Sequence, residues 1–563
     1  MLFKRLLLLV AYIAAYGFSY AQSVFMPLNH PAVYSLQRLE IKQGKLADPS
    51  HFNTSSGFYR RQFITQYIDS FETGGVKLSK QDFFNMEYIR NDNFEWTHAY
   101  TTQSNKKSWG EIFHYKSTFY AVNTPDFKLA VNPVVNLFAA SESNNNNPVI
   151  INTRGIEMRA SIGNNIGIFT RLEDDIMSPN QRTLDFYKEK KVLPGESFLK
   201  TSDGKTFNYS RARGYINFNI NKYIDMQFGH DNNVIGNGYR TFYMSDFSRP
   251  QLFLRTNTHV WKLNYTNIYG SMYRYSPMSN RSGSFNIERH YFATQYLNLQ
   301  ATKNLQFGLF QTISFHSDSI RTRNGFDIEY LNPIIFYKSV ENGLNSPDKA
   351  ILGADFKWNF LRQFQVYGQM VISEMVLAEF IQFNGWAGNK YAIQLGTKCL
   401  DIFGVNNLDV QLEYNYVRPY MYTSFDAGNA YVNYNQNMAH PLGANFMEGI
   451  GIIRYQPIER LMLKATGMYY IIGRDTGNTN YGSNIGLSYK NIIQTYGNYV
   501  GQGIRNDVLL LDLVSSYMLY HNFFIDFQIA YRGSQSELAK FESNSFFIGM
   551  GIRWNMVERR WDF

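Results

Sequence analysis

From about residue 110 onward the chain keeps returning to one pattern: short runs in which apolar and polar residues alternate strictly, joined by turns of a few residues. Phe546, Ile548, Met550, Ile552, Trp554 and Met556 fall on one side of such a run, and Gly549, Gly551, Arg553 and Asn555 fall on the other. The same two-sidedness recurs at 156–162, at 216–220 and 224–228 around Asn221-Lys222-Tyr223, at 297–299 and 305–309, at 408–415 and at 523–529. Side chains of a strand alternate between its faces, so each run has one greasy and one polar face. A soluble sandwich alternates too. The length of the array, the aromatic load and the N-terminus favour a transmembrane barrel, with one face toward lipid and the other toward the lumen.

Of the 563 residues, 17% are aromatic, with 42 Tyr and 45 Phe. Outer-membrane barrels carry aromatic girdles at both bilayer interfaces, which accounts for such usage. After Ala21 no apolar run is long enough for a spanning helix. Residues 1–21 read as an export signal: Lys4 and Arg5, an apolar stretch from Leu6 to Ala15, and the small-residue exit Ser19-Tyr20-Ala21. The expected location is therefore the outer membrane. The single Cys399 excludes a disulfide framework, and no Cys follows the signal to take a lipid anchor. The net charge of +9 becomes +7 when Lys4 and Arg5 leave, a modest excess that suits anionic lipopolysaccharide or an acidic polysaccharide. Without a dense basic stripe, nucleic acid is not expected as a partner.

Loop lengths set the topology, because such barrels keep periplasmic turns short and extracellular loops long. Short turns fall near Gly163, Lys222, Thr258, Thr302, Asn359, Asn406, Pro457 and His521. Each joins a descending to an ascending strand, and with one strand to enter and one to finish the expectation is about 18 antiparallel strands. The long segments 230–250, 316–350, 374–390, 417–447 and 471–506 are then extracellular. Parity forbids a spanning strand within 471–506. The first strand is expected within 110–138, and 143–148 reads as a polar loop. The expected organisation is a signal at 1–21, a periplasmic or plug segment at 22–108 with helical stretches at 32–41, 59–70 and 80–89, and a barrel at 109–563.

No catalytic constellation emerges: there is no Gly-X-Ser-X-Gly, His-Glu-X-X-His or Cys-X-X-Cys. No cofactor and no metal is expected. Asp174 and Asp175 are adjacent on a strand and so point to opposite faces, which rules against paired acid–base work and suggests a solvated strand end. The Gly-rich run 229–238 has no helix after it to cradle a phosphate. Two loops remain. One combines Gly pivots with Tyr239, Arg240, Tyr243, Asp246 and Arg249, and the other contains His440-Pro441-Leu442-Gly443-Ala444-Asn445-Phe446. Aromatic faces stack on sugars, while Arg, Asp and Asn bond hydroxyls and carboxylates. The candidate ligand residues are therefore Tyr239, Arg240, Tyr243, Asp246, Arg249, His440 and Asn445, on an extracellular surface that binds an acidic polysaccharide. The same residues would also suit a loop folded on itself, and the second segment suits a structural turn.

These stretches also carry a resemblance. With the glycines and Ser245-Asp246-Phe247-Ser248-Arg249-Pro250, Leu331-Asn332-Pro333, Gly353-Ala354-Asp355, Tyr367-Gly368-Gln369, Glu413-Tyr414-Asn415 and 440–446, the chain resembles the capsule-assembly Wzi family, in the Bacteroidota branch that includes the gliding-motility protein RemB. The resemblance spans roughly 110–563. It implies an 18-stranded barrel with a small helical periplasmic part, which binds capsular or exopolysaccharide without enzymatic activity. The competing reading is an accessory subunit of a gliding or secretion machinery that grips a protein partner. A porin or transporter ranks third.

Overall fold

The computed structural model describes residues 24–48, 52–73, 75–97, 102–104, 112–163, 165–199, 201, 203–276, 286–316, 326–337, 348–477, 479–560 and 562–563. The export signal expected over 1–21 lies outside them. Eighteen antiparallel strands close into a barrel. They are β1 (Phe127–Glu142), β2 (Asn145–Ile162), β3 (Ile166–Ser178), β4 (Phe207–Asn221), β5 (Ile224–Asp231), β6 (Gln251–Val260), β7 (Leu263–Ser276), β8 (Asn286–Gln300), β9 (Leu305–Phe315), β10 (Lys349–Phe360), β11 (Phe364–Glu374), β12 (Lys390–Cys399), β13 (Leu408–Val417), β14 (Phe446–Ile458), β15 (Leu461–Arg474), β16 (Ile504–Tyr520), β17 (Phe523–Ser536) and β18 (Ser543–Trp554).

Closure is made by β18 on β1, from Trp554 opposite Val135 to Phe547 opposite Glu142. The lower part of the same β1 edge runs past the end of β18. There a hairpin of Ile112–Tyr115 and Thr118–Asn123 takes it up, with Tyr120 opposite Val131 and Asn123 opposite Lys128. The two pairings cover the β1 edge except over 132–134, where the Asn555 side chain takes the Pro133 carbonyl at 2.9 Å; an unpaired backbone group in lipid costs several kcal/mol, roughly.

All eight short turns are present at one end, periplasmic by the length rule. The turn expected at Thr258 is at Trp261-Lys262, where Trp261 adopts φ 55°. Among the described residues no barrel strand interrupts the chain between β15 and β16, as parity required. Two expectations are corrected. The first strand reaches Glu142, and 145–148 belongs to β2 rather than to a loop, because Asn145 pairs with Glu142 across a two-residue turn. The loop expected outside at 316–350 is not simply outside, since residues 326–337 within it lie against the wall.

The polar lumen is not empty. Three helices precede the barrel: α1 (Pro31–Gln43), α2 (Arg61–Thr73) and α3 (Lys80–Asp92). They plug the short-turn end. Arg38 donates from Nε to Asp82 at 2.9 Å and also reaches Asp401 and Asp409 beside the β12–β13 turn, all but Asp401 nearly out of solvent. Ser79 and Asp82 form a capping box on α3, and the Ser79 hydroxyl donates to Asn407 at 2.5 Å. Tyr88 and Asn85 reach the opposite turns at Asn522 and Gln456.

Candidate functional site

Residues 232–250 leave β5 at the long-loop end and turn into the lumen. Carboxyl and amide groups on the lumen face of the wall catch the loop tip. The Tyr239 and Arg240 backbone N–H groups donate to Glu413 at 2.7 and 3.1 Å, and that of Phe242 donates to Gln369 at 2.9 Å. Tyr243 stacks on Phe310 with ring centroids 4.2 Å apart. A Cβ at Gly353 would meet the Tyr243 ring at 2.4 Å, so only glycine leaves room there. The motifs around 353, 367 and 413 thus seat this loop.

Two other segments meet it. From the plug, Ser55 offers its carbonyl to the Gly236 N–H at 2.7 Å, and its hydroxyl donates to Asn237 at 2.6 Å. From the end of β18, the chain turns back up the lumen as a tail over 555–563. Arg559 donates to Thr153 at 3.1 Å and pairs with Asp175, and Arg560 pairs with Asp246 at 2.8 Å. Asp562 accepts from Tyr239 and lies 3.5 Å from Arg240. Phe563 packs against Phe186 of α4 (Gln181–Lys190) and against Phe247, at 5.4 and 5.7 Å. Met556 and Phe563 therefore face the lumen and do not continue the greasy face of β18. Asp175 corrects another expectation: its side chain points away from that of Asp174, but it is fully buried in the Arg211 and Arg559 pairs rather than solvated.

Between loop, plug, tail and the β3–β5 wall remains a cavity of about 370 Å³. Protein ligand sites commonly span roughly 300–1,000 Å³. Four of the seven candidate residues line it: Tyr239, Arg240, Asp246 and Arg249. Tyr243, His440 and Asn445 do not, and all three are fully buried. His440 bonds Glu448 at 2.8 Å, and burial pulls its imidazole below the ordinary value despite that carboxylate. Asn445, at φ 61°, donates to the Gly473 and Gln502 carbonyls at 3.0 and 2.8 Å and accepts from the Gly501 N–H at 2.8 Å. The 440–446 segment is thus a knot tying two long loops together. Loops 230–250 and 417–447 turn largely inward rather than forming an open outer face.

Sequence reasoning missed Arg211 and Arg213 on the lumen face of β4, and Arg559 and Arg560 of the tail, all at the cavity. The alternation in β4 assigns Arg211 and Arg213 to the lumen, but nothing in the sequence folds the tail back beside them. The lining holds seven arginines against five Asp or Glu, so it is cationic on balance. Glu196, raised by burial against the pull of Arg211 to about 7, carries only part of its negative charge near neutrality. Arg213 has its nearest carboxylates only at 3.9 and 4.0 Å. Arg249 lies over the Tyr434 ring at 5.0 Å, and among the described residues its guanidinium has no carboxylate within ion-pair distance. Outside, the rim presents Phe383, Tyr496 and Tyr499, which are 84%, 50% and 63% exposed. Among the described residues no group of three or more His, Cys, Asp or Glu is arranged to hold a metal ion.

No protein-family model matches the chain, and no curated protein sequence matches it. Among solved structures it is similar to Wzi of Escherichia coli, described as an outer-membrane protein involved in group 1 capsule assembly and a carbohydrate-binding β-barrel. That match has 11% identity and a TM-score of 0.56, covering 95% of this chain and 100% of the other. It is also matched, more loosely, by Pseudomonas aeruginosa OprD (9% identity, 76% of this chain and 94% of the other, TM-score 0.39) and OccK8 (8%, 76% and 97%, TM-score 0.43). At these identities the likeness is one of fold: the chain is a closed eighteen-stranded barrel of the outer membrane with a Wzi-like fold.

Proposed function

We propose that this barrel binds or organises capsular or exopolysaccharide at the cell surface, without enzymatic activity, and that an acidic sugar unit of that polymer is held at the lumen cavity. The observation that carries this reading is Arg249. Its guanidinium rests on an aromatic ring without an ion-pair partner among the described residues, and an incompletely paired Arg213 lines the same pocket of net positive charge. A planar guanidinium pairs both oxygens of a carboxylate, and an aromatic face suits the apolar face of a sugar ring. The full-length fold correspondence with a barrel described as carbohydrate-binding supports the same reading. So do the plug, loop and tail, which together occupy the lumen where a wide pore would run.

Binding of purified host polysaccharide to the surface-displayed protein tests it. Arg249→Gln should weaken binding roughly 10- to 100-fold, from the loss of a charge-assisted contact of about 1.5–3 kcal/mol. Arg213→Gln combined with it should weaken binding further, with heat-modifiable migration unchanged. Unchanged binding in the double variant would sink the proposal. The second reading, a subunit of a gliding or secretion machinery, is favoured by one observation: the rim carries Leu377, Ile381 and Phe383 exposed together, a surface suited to a protein partner. Capture of a protein through that rim, lost in Phe383→Ser while polysaccharide binding persists, would move it ahead.

A further inference from the structure

We propose that residues 326–337 form a strap embedded in the membrane against the lipid side of β7, β8 and β9, and that its partner is the hydrocarbon of the bilayer. The register fixes which face the strap covers. In β8 and β9, Tyr296 and Phe310 pack against Tyr243 and so face the lumen. Their neighbours Gln295, Gln311 and Leu309 therefore face outward, and Leu309 is 41% exposed there. Asn267, Gln295 and Gln311 lie in one row across the three strands. A polar row on the lipid face is costly if bare. Here it is almost out of solvent, because the strap lies on it.

The contacts are specific. Gln311 donates to Gln295 at 2.9 Å, and Gln295 donates to the Asn332 carbonyl at 2.8 Å. The Tyr269 hydroxyl donates to the Leu331 carbonyl at 3.2 Å, and that of Tyr265 donates to the Pro333 carbonyl. Tyr330 stacks on Phe315 with centroids 4.0 Å apart. Gln295 stands five residues before the periplasmic end of β8 at Gln300. At about 3.4 Å per residue, and with the usual tilt of about 40°, that is roughly 13 Å of height, near the middle of an apolar band of about 25 Å.

Irregular backbone survives at such depth only where its polar groups are satisfied by protein. The strap meets that condition along its deepest part. The N–H groups of Tyr330 and Asn332 bond the Asp327 and Glu329 carbonyls, and that of Ile334 bonds the Asn332 side chain. Pro333 has no N–H, and the wall takes the carbonyls of 331–333. The face left outward is mostly apolar: Ile328 is 76% exposed, Ile334 is 61% exposed, and Leu331, Pro333 and Tyr337 are also open, while its exposed charge, Glu329, stands at the outer end beside Tyr330, which bonds Asp348 just before β10. This inference is independent of the polysaccharide reading.

The test uses single cysteines in the full chain carrying Cys399→Ser: Ile328→Cys and Ile334→Cys, with Leu309→Cys as a lipid-wall control and Thr495→Cys as a surface control. Heat-modifiable migration confirms that each variant folds, and two strap positions guard against the failure of one. On intact cells a membrane-impermeant maleimide should label the Thr495→Cys protein and spare both strap variants. In nanodiscs, a bimane at 328 or 334 should be quenched by brominated lipid to the same extent as one at 309. Labelling of the strap on cells as strong as at 495 would place it in water and overturn the proposal. Protection on cells without quenching by lipid would mean that a protein covers it, which overturns the proposal as well.

Discussion

In the wall, Leu412 and Tyr414 of β13 are about half exposed to the outside, while Gln411 and Glu413, which alternate with them, are buried and bonded inside. Four consecutive residues state the whole rule. In the lumen, Tyr239 meets Asp562 across 323 positions of sequence, and Arg38 meets Asp409 across 371. The wall is specified by the two solvents on its faces and by local pairing. The lumen is specified by charge and hydrogen-bond partners brought together from the plug, an outer loop and the tail. A wall error exposes backbone to lipid. A lumen error leaves a charge without its partner inside an otherwise intact barrel. The two regions are expected to fail separately.

Removing 543–554 tests the wall and should have the largest effect. Without β18, the facing edges of β17 and β1 open into lipid, at several kcal/mol, roughly, per unpaired group. The truncated chain should lose heat-modifiable migration altogether. Removing only 555–563 should keep it, because among the described residues the tail adds no strand to the wall and touches its backbone only through Asn555, at Asn522 and Pro133. If both deletions behave alike, the wall and the lumen are not separate units.

The same contrast explains what could be read from the sequence. Alternation and turn spacing located the eight short turns and the eighteen strands because each strand repeats one local rule. The errors of two or three residues, at 258 against 261–262 and at 359 against 361–363, fall where Trp261, Leu361 and Arg362 take positive φ. Those side chains look like strand residues, so composition extends the strand through the turn. The site was less legible. Tyr239, Arg240, Asp246 and Arg249 reach the cavity, but the sequence offered them as an outer surface, because a polar, aromatic loop reads the same whether it folds out to water or into a polar lumen. His440 and Asn445 were noticed for the precision of their turn, and that precision serves a buried knot. The tail was misread because Met556 keeps the parity of β18 although the strand ends at Trp554.

Arg38→Ala tests the lumen alone. It removes one cation from three carboxylates, Asp82, Asp401 and Asp409, and strands them beside Lys42. Breaking a buried pair from one side costs about 3–5 kcal/mol. The plug should loosen while the barrel persists: in purified protein, protease should cut within 24–97 many times faster than in the parent, with heat-modifiable migration kept. Equal resistance would show that the charge network does not hold the plug.

The smallest expected effect is a pH dependence of the same plug, and its sign follows from His30. This residue caps α1, where its Nδ1 accepts from the Ala32 N–H at 3.3 Å. Burial lowers the imidazole from 6.5 to about 4. Asp92, 3.7 Å away, opposes this, and Arg61, His521 and Arg159 add to it. The folded state thus favours the neutral ring, and the unfolded plug binds a proton more readily. Stability from this group is complete above pH 6.5 and is lost as the pH falls toward 4, by about 2 kcal/mol at pH 5. Amide exchange in α1, corrected for the intrinsic rate, should therefore quicken between pH 7 and pH 5. His30→Asn keeps a good cap acceptor and removes the titration, so its exchange should be level over that range. A variant that quickens as much as the parent would assign the acid sensitivity to another group, and the plug would then be held by its carboxylate network without help from this histidine.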